Sequence, residues 1–272
     1  MILAIDIGAT KTLVAYLTNE GKIHFQVKFP TPKKYPEWVS QVTKVLTDNP
    51  QDFKIGVVAA PGHIDREKGI ASNFGNLPWG EAPIKSNLKP LAKCNIVVEN
   101  DTKLAGLSEG TYLKGKYKNV LYITVSTGIS GALVVDGKLD PELQNSEGGH
   151  ILLEHEGKLR TWESIASGRT IYQKYGMRAS DIEDPKIWDE ISYNIARGLY
   201  DLLAVIQPNA VVIGGGVGTH FKKYQKPLLK HLRTMENPLV PIPPILGAKH
   251  AEEAVVYGCY YLGKTTYDQD NK

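Results

Sequence analysis

The chemistry-bearing residues of this chain gather at a few short stretches. Asp6-Ile7-Gly8-Ala9-Thr10-Lys11-Thr12 sets an acid at the mouth of a tight turn of small and hydroxyl residues, and the backbone N–H groups of such a turn can surround a phosphate. Asp6 stands at a strand end, where a carboxylate can hold Mg2+ through a bound water. Lys11 adds a cation that can neutralise phosphate charge. Ser126-Thr127-Gly128-Ile129-Ser130-Gly131 repeats the device in the second half of the chain. Gly214-Gly215-Gly216 directly follows an apolar run and permits close approach of the backbone to a nucleotide. Glu99-Asn100-Asp101-Thr102 places an amide and a carboxylate where a strand gives way to a helix, so Asn100 or Asp101 is the expected N-cap. One glycine turn alone is a weak signal. The three together are far more specific.

The elements that must position these residues read in a regular order. Ile2 to Ile5 and Thr12 to Leu17 form a hairpin about the first turn, and Ile23 to Phe29 adds a third strand before Pro30 and Pro32. Trp38, Val39, Val42, Val45 and Leu46 recur at helical spacing over 35–46, and Ile55 to Ala60 is a buried-type strand ending at Pro61-Gly62. A loop rich in Gly, Asn and Pro runs from Gly62 to about Pro83, then come the strand Asn95 to Val98 and a helix over 103–113. The pattern then restarts: strand Val120 to Val125, Gly/Thr turn, strand Ala132 to Val135 and a tight turn at Asp136-Gly137. This is an internal repeat. Helices are predicted around 161–175 and 187–206, a strand at 210–213, a helix to about Leu232, a strand near 242–246 and a last helix from 251 to about 262. Two similar α/β domains flanking a cleft are expected: residues 1–112, completed by a C-terminal helix over 251–264, and residues 113–250.

Composition narrows the function classes. At 272 residues, 42% hydrophobic and 22% charged, the chain has the make-up of a folded globular protein. Lysines and arginines number 32 against 29 acids and are dispersed, which argues against a nucleic-acid partner. Cys94 and Cys259 stand far apart with no metal spacing, so neither a disulfide framework nor a C-x-x-C site is predicted. The start Met-Ile-Leu-Ala-Ile-Asp lacks the basic region of a signal peptide, and no run approaches the length of a membrane span. A cytoplasmic location without a membrane partner is the expectation.

Seven motifs, D-I-G-A-T-K-T at 6–12, A-A-P-G at 59–62, N-L-P-W at 76–79, E-N-D-T at 99–102, S-T-G-I-S-G at 126–131, E-G-G-H at 147–150 and G-G-G at 214–216, follow one another nearly end to end. In this the chain resembles the ROK family of sugar kinases and related repressors. The resemblance implies the actin-like, ribonuclease-H-like ATPase fold and transfer of a phosphoryl group from ATP, with Mg2+, to a hexose hydroxyl, that on C6. Asp101 is then the catalytic base. Asn76, Asn100, Glu147, His150 and Glu163 fall at positions that bind the sugar. Asp6, Gly8, Thr10, Lys11, Thr12, Thr127, Gly128, Gly214, Gly215 and Gly216 fall on the nucleotide side. Glucose is the first expected substrate, with N-acetylmannosamine, N-acetylglucosamine, fructose and allose open, and a homodimer is the assembly the family suggests. Closure of the two lobes would exclude water.

The departures from the family pattern carry their own expectations. Most relatives place three cysteines between the positions of His150 and Glu163, and these bind a structural zinc with the histidine. Here the segment holds no cysteine. No zinc site is expected, and apolar packing through Leu152, Leu159 and Trp162 is the predicted substitute. A DNA-binding regulator needs a helix-turn-helix ahead of the first strand, and the sequence opens directly on that strand. Gly258 to Thr265 fits the phosphate-loop pattern G-x-x-x-x-G-K-[ST]. It is rejected, since the residues before it read as helix and Tyr260 and Tyr261 are bulky for a phosphate cradle.

Overall fold

The computed structural model describes residues 1–250 and 253–271. They divide into two compact units, 1–108 with 253–271, and 109–250. The first begins with β1 (Ile2–Ile7), β2 (Lys11–Leu17) and β3 (Ile23–Pro30), then α1 (Tyr35–Asp48) and β4 (Ile55–Ala60). A small hairpin, β5 (His63–Asp65) and β6 (Ile70–Ser72), precedes α2 (Ile84–Ala92), β7 (Asn95–Asn100) and α3 (Asp101–Tyr112). The sheet order is β3-β2-β1-β4-β7, with β1, β4 and β7 mutually parallel and β2 and β3 antiparallel beside them.

The central strands are apolar on both faces because helices cover both. Leu3, Ile5 and Ile7 pack with Trp38, Val42, Ile84 and Leu88 from α1 and α2. Alternation turns Ile2 and Ala4 to the opposite side, against Leu104, Val256 and Cys259. Asp6 shares that second face. The stretch 62–83 is less irregular than its composition suggests: β5 and β6 pair from His63↔Ser72 to Asp65↔Ile70, and a bridge Ala71↔Ala82 closes the loop that carries Asn76.

The second unit repeats the plan. It contains β8 (Asn119–Val125), β9 (Ile129–Val135), β10 (Lys138–Leu139), the hairpin β11 (Leu152–His155) and β12 (Lys158–Thr161), α4 (Glu163–Ala166), α5 (Gly168–Tyr175) and α6 (Pro185–Ile206). There follow β13 (Ala210–Gly214), α7 (Gly215–Gly218), α8 (Phe221–Met235) and β14 (Ile245–Gly247). Its sheet order, β10-β9-β8-β13-β14, is the first order over again, strand for strand. One face packs on α6 and α8, where Trp188 stacks on Tyr224 with ring centroids 5.3 Å apart.

Where a single helix is predicted around 161–175, the chain makes β12 and two short helices, since Ser167 is extended and caps α5 through its hydroxyl. Leu152 and Leu159, expected to pack, are 62% and 70% exposed on the β11–β12 hairpin. Trp162 alone of that trio is buried, and its indole N–H donates to Asn194 O at 3.0 Å.

The last helix, α9 (Ala254–Asp270), returns to the first unit and lies on β1 and β4. The predicted start of this helix, 251–252, lies outside the described residues. Gly258, Lys264 and Thr265 of the rejected phosphate-loop pattern all stand inside α9, so no loop exists there. Gly258 has a packing role: a Cβ at this position would lie 2.0 Å from the Leu104 carbonyl oxygen. Glycine to alanine inside a helix ordinarily stabilises by about 1 kcal/mol. At Gly258 the sign reverses, because backbone must shift to admit the methyl group. Gly258→Ala is expected to destabilise by about 1–3 kcal/mol, read as a lower urea midpoint at unchanged m value.

Candidate active site

Parallel pairing fixes where the first unit's functional groups meet. Asp6 is level with Ala59 on β4, Ala59 with Glu99 on β7, and Ala60 with Asn100. Asp6, next to last in its strand, therefore stands within two residues of the level at which Asp101 opens α3. Asn100 is the cap: its Oδ1 accepts from Thr102 N at 3.0 Å and Lys103 N at 3.3 Å, and its Nδ2 donates to Gly62 O at 3.1 Å. Asp101 Oδ1 accepts from Thr102 N at 2.7 Å, which places a carboxylate on the positive end of the helix. Gly62 has φ 90° and approaches Ser72 O so closely that a Cβ would lie 2.3 Å from it. Asn76, in the loop closed by the Ala71↔Ala82 bridge, is exposed, and its N–H donates to Phe74 O at 2.7 Å.

Sequence reasoning missed the ion pair beneath these residues. Arg66, on the β5–β6 turn, grips the buried Glu99 in two 2.7 Å bonds, while Glu99 Oε1 also accepts from Asn100 N at 2.7 Å. The bidentate fork satisfies a carboxylate that would otherwise be costly to bury. Nothing in the spacing of residues 66 and 99 signals that pairing, which the β5–β6 hairpin creates.

The turn after β1 is closed by Gly8 N donating to Lys11 O at 3.0 Å. A Cβ on Gly8 would sit 2.7 Å from that oxygen, so the glycine is required sterically. Thr10 and Lys11 are exposed at its tip. Thr12, expected beside the phosphates, is instead fully buried, with its hydroxyl bonded to Trp38 and Thr31.

In the second unit the equivalent turn is held differently. Ser126 N donates to Gly128 O at 2.8 Å, and Ile129 N donates to Glu163 Oε2 at 2.9 Å. A Cβ on Gly128 would lie 2.2 Å from that carboxylate oxygen. Glu163 thus fastens the turn, whatever its remaining oxygen meets. Ser130 Oγ donates to Glu147 Oε2 at 3.3 Å, and Glu147 and His150 are exposed at the two ends of a short 3-10 turn. The three glycines separate in role. Gly214 lies against Tyr122, and Gly215 at φ 82° lies against Thr124 and Val125, whereas Gly216 has open space where a side chain would be. Gly216 and Thr127 line a cavity of about 640 Å³ together with Ser126, Arg169, Tyr172 and Arg178. The last three residue types give no sequence signal of their own.

Among the described residues no group of three or more His, Cys, Asp or Glu side chains could hold a metal ion, and no helix is long and apolar enough to cross a membrane. The family model described as "ROK family" matches residues 2–266. The chain belongs to the ROK family. It is 27% identical to a glucokinase of Halalkalibacterium halodurans, with 87% of this chain and 86% of that one covered. It is 30% identical to an N-acetylmannosamine kinase of Shigella flexneri, covering 80% and 83%. A ROK family glucokinase from Streptomyces griseus, solved with glucose and AMPPNP, superposes with a TM-score of 0.80 at 23% identity over 97% of this chain and 99% of that one. The duplicated α/β architecture is the actin-like ATPase fold of these ROK proteins.

Within this ROK fold Asp6 carries an unusual carboxyl. Burial, then the nearby negative charge of Asp101, push its pKa from 3.8 up to about 7, with Lys28 opposing them. Between those values the folded protein keeps a proton that the unfolded chain has released. Stability must therefore fall as pH rises from about 4 to about 7, by at most about 1.4 kcal/mol per pH unit from this group. Asp6→Asn is expected to remove this dependence. Measured by urea unfolding without nucleotide or metal, the variant should gain on the wild type between pH 4 and pH 8, and parallel curves would contradict the assignment.

Proposed function

We propose that this protein is an ATP-dependent sugar kinase that transfers the γ-phosphoryl group of ATP to the C6 hydroxyl of a hexose, glucose being the first candidate. N-acetylmannosamine, N-acetylglucosamine and fructose are the alternatives. The observation that carries the reading is the register that brings Asp6, near the end of β1, and Asp101, at the start of α3 just past β7, to one edge of the sheet. Phosphoryl transfer asks for positioned phosphates, charge neutralisation and one group that orients and deprotonates the attacking oxygen. Here a phosphate-type turn and two carboxylates occupy one edge of one sheet. In this proposal Asp101 takes the hydroxyl proton as the oxygen attacks the γ-phosphorus and ADP departs. Asn76, Asn100, Glu147, His150 and Glu163 supply hydrogen bonds to the sugar. The turns at Gly8–Lys11 and Ser126–Gly128 bind phosphates, and the cavity lined by Gly216, Arg169, Tyr172 and Arg178 takes the nucleoside end.

The donor set at Asp6 suits Mg2+. It offers hard carboxylate oxygen within the field of a second carboxylate, and a cation there would offset the burial and the Asp101 charge that raise the Asp6 pKa. Asp6 would hold the ion through a bound water, and the metal supplies neutralisation of phosphate charge. The proposal follows the relatives named above, a glucokinase and an N-acetylmannosamine kinase.

The test is ADP release over a panel of hexoses and N-acetylhexosamines with Mg-ATP. One sugar should stimulate turnover, and Asp101→Asn should lower kcat by about 100-fold or more while leaving nucleotide binding within about threefold. Sugar-stimulated turnover that persists in Asp101→Asn would remove Asp101 from the role of base.

A further inference from the structure

Thr12 and Trp38 are buried, polar at one atom each, and joined to the turn after β1 by a single run of hydrogen bonds. Trp38 Nε1 donates to Thr12 Oγ1 at 3.1 Å, Thr12 Oγ1 and Thr31 Oγ1 stand 3.0 Å apart, and Thr31 Oγ1 donates to Gly8 O at 2.7 Å. The proton positions follow from the chemistry of the groups. A carbonyl only accepts, so the Thr31 proton goes to Gly8. The Thr12 proton must then go to Thr31, and Thr12 in turn accepts from the indole, which only donates. One arrangement satisfies every member of the chain.

Thr31 holds the turn at a second point as well, because its backbone N–H donates to Thr10 O at 3.0 Å. In a trans peptide the carbonyl and the following N–H point in opposite directions. With the carbonyls of Gly8 and Thr10 drawn toward Thr31, the N–H groups of Ala9 and Lys11 are aimed the other way. In the kinase reading these are the groups that would meet a phosphate.

The same anchor reaches the loop that carries Asn76. Trp79, at the end of that loop, donates its indole N–H to the carbonyl of Pro32, the residue after Thr31, at 3.1 Å. Its ring lies 5.6 Å from that of Trp38 and 5.2 Å from that of Phe74. Trp38, Thr31 and Trp79 are all more than nine-tenths buried, so the chain is shielded from water throughout.

We propose that Thr31 is a positioning residue for the phosphoryl donor: its hydroxyl, oriented through Thr12 and Trp38, aims the amides of the Gly8–Lys11 turn, and the Trp79 bond to Pro32 ties that aim to the loop bearing Asn76. The inference rests on the kinase reading for its kinetic consequence and on the hydrogen-bond chain alone for its structural one. Thr31→Val keeps the shape and removes the donor and acceptor. Thr31→Ser restores both.

The experiment compares wild type, T31V, T31S and W38F in two measurements. T31V should raise the KM for ATP about three- to tenfold, with the KM for sugar changed less and T31S returned to near the wild-type value. W38F, which loses the first donor of the chain together with part of a buried ring, should also raise the KM for ATP. Amide hydrogen exchange of the segment 7–13 should be faster in T31V and normal in T31S. Equal exchange in wild type, T31V and T31S overturns the proposal, as does a T31V KM for ATP within twofold of wild type. A wild type that turns over no sugar sinks the kinase reading instead, and the exchange comparison still decides whether Thr31 orders the turn.

Discussion

Parallel pairing of β1, β4 and β7 is the constraint on which the first unit's chemistry depends. Parallel strands end at a common edge, so every loop leaving their carboxyl ends is delivered to one place. Ile2 opposite Ile55, and Ile55 opposite Asn95, fix the levels of all three strands. A shift of one residue would turn Asp6 to the face of Trp38 and Val42. As built, Asp6 faces α3 and α9, and Asp101 starts α3 at the same edge. The raised carboxyl pKa of Asp6 is the electrostatic trace of that register.

The duplicated sheet shows how one topology can hold equivalent turns by unlike means. After β1 the turn is fastened by neutral groups, a threonine hydroxyl and a threonine N–H bonded to two carbonyls. After β8 it is fastened by a carboxylate, Glu163, bonded to Ile129 N. Each attachment explains a glycine. Gly8 is required by the proximity of Lys11 O, and Gly128 by the proximity of Glu163 Oε2. The polarity of the fastening also differs, since the first turn is anchored through two carbonyls and the second through an amide that the carboxylate occupies.

Much of this was legible in the sequence, and the illegible parts share a cause. The repeat, the two turns and the strand-to-helix junction at Asn100-Asp101 are local patterns, and the structure places elements where the patterns put them. Asn100, rather than Asp101, turns out to provide the capping oxygen. The Arg66–Glu99 pair, the burial of Thr12 and the exposure of Leu152 and Leu159 depend on which distant segment each residue meets, which periodicity does not encode. Helix α2 was hidden by its own composition, because Pro90 within it and Pro83 before it read as breakers. The hairpins β5–β6 and β11–β12 were hidden by length: strands of three or four residues are too short to show alternation.

The β11–β12 hairpin is held to its unit at its base. Its two exposed leucines contribute little, so the fastening must lie at its base. There Trp162 fills a notch that exists only because residue 198 is glycine, where a Cβ would come within 2.2 Å of the indole ring. The indole N–H is spent on Asn194 O one turn earlier in α6, and Trp162 N donates to Ile151 O at 2.9 Å, closing the neck of the hairpin. Arg197, beside Gly198, reaches the other strand through the carbonyl of Glu154 and His155 Nδ1. The Gly198 notch that receives the Trp162 ring and the Arg197 guanidinium, both on a single turn of α6, therefore pin the hairpin at two points. Packing and hydrogen bonds at these two points hold the segment between His150 before it and Glu163 after it.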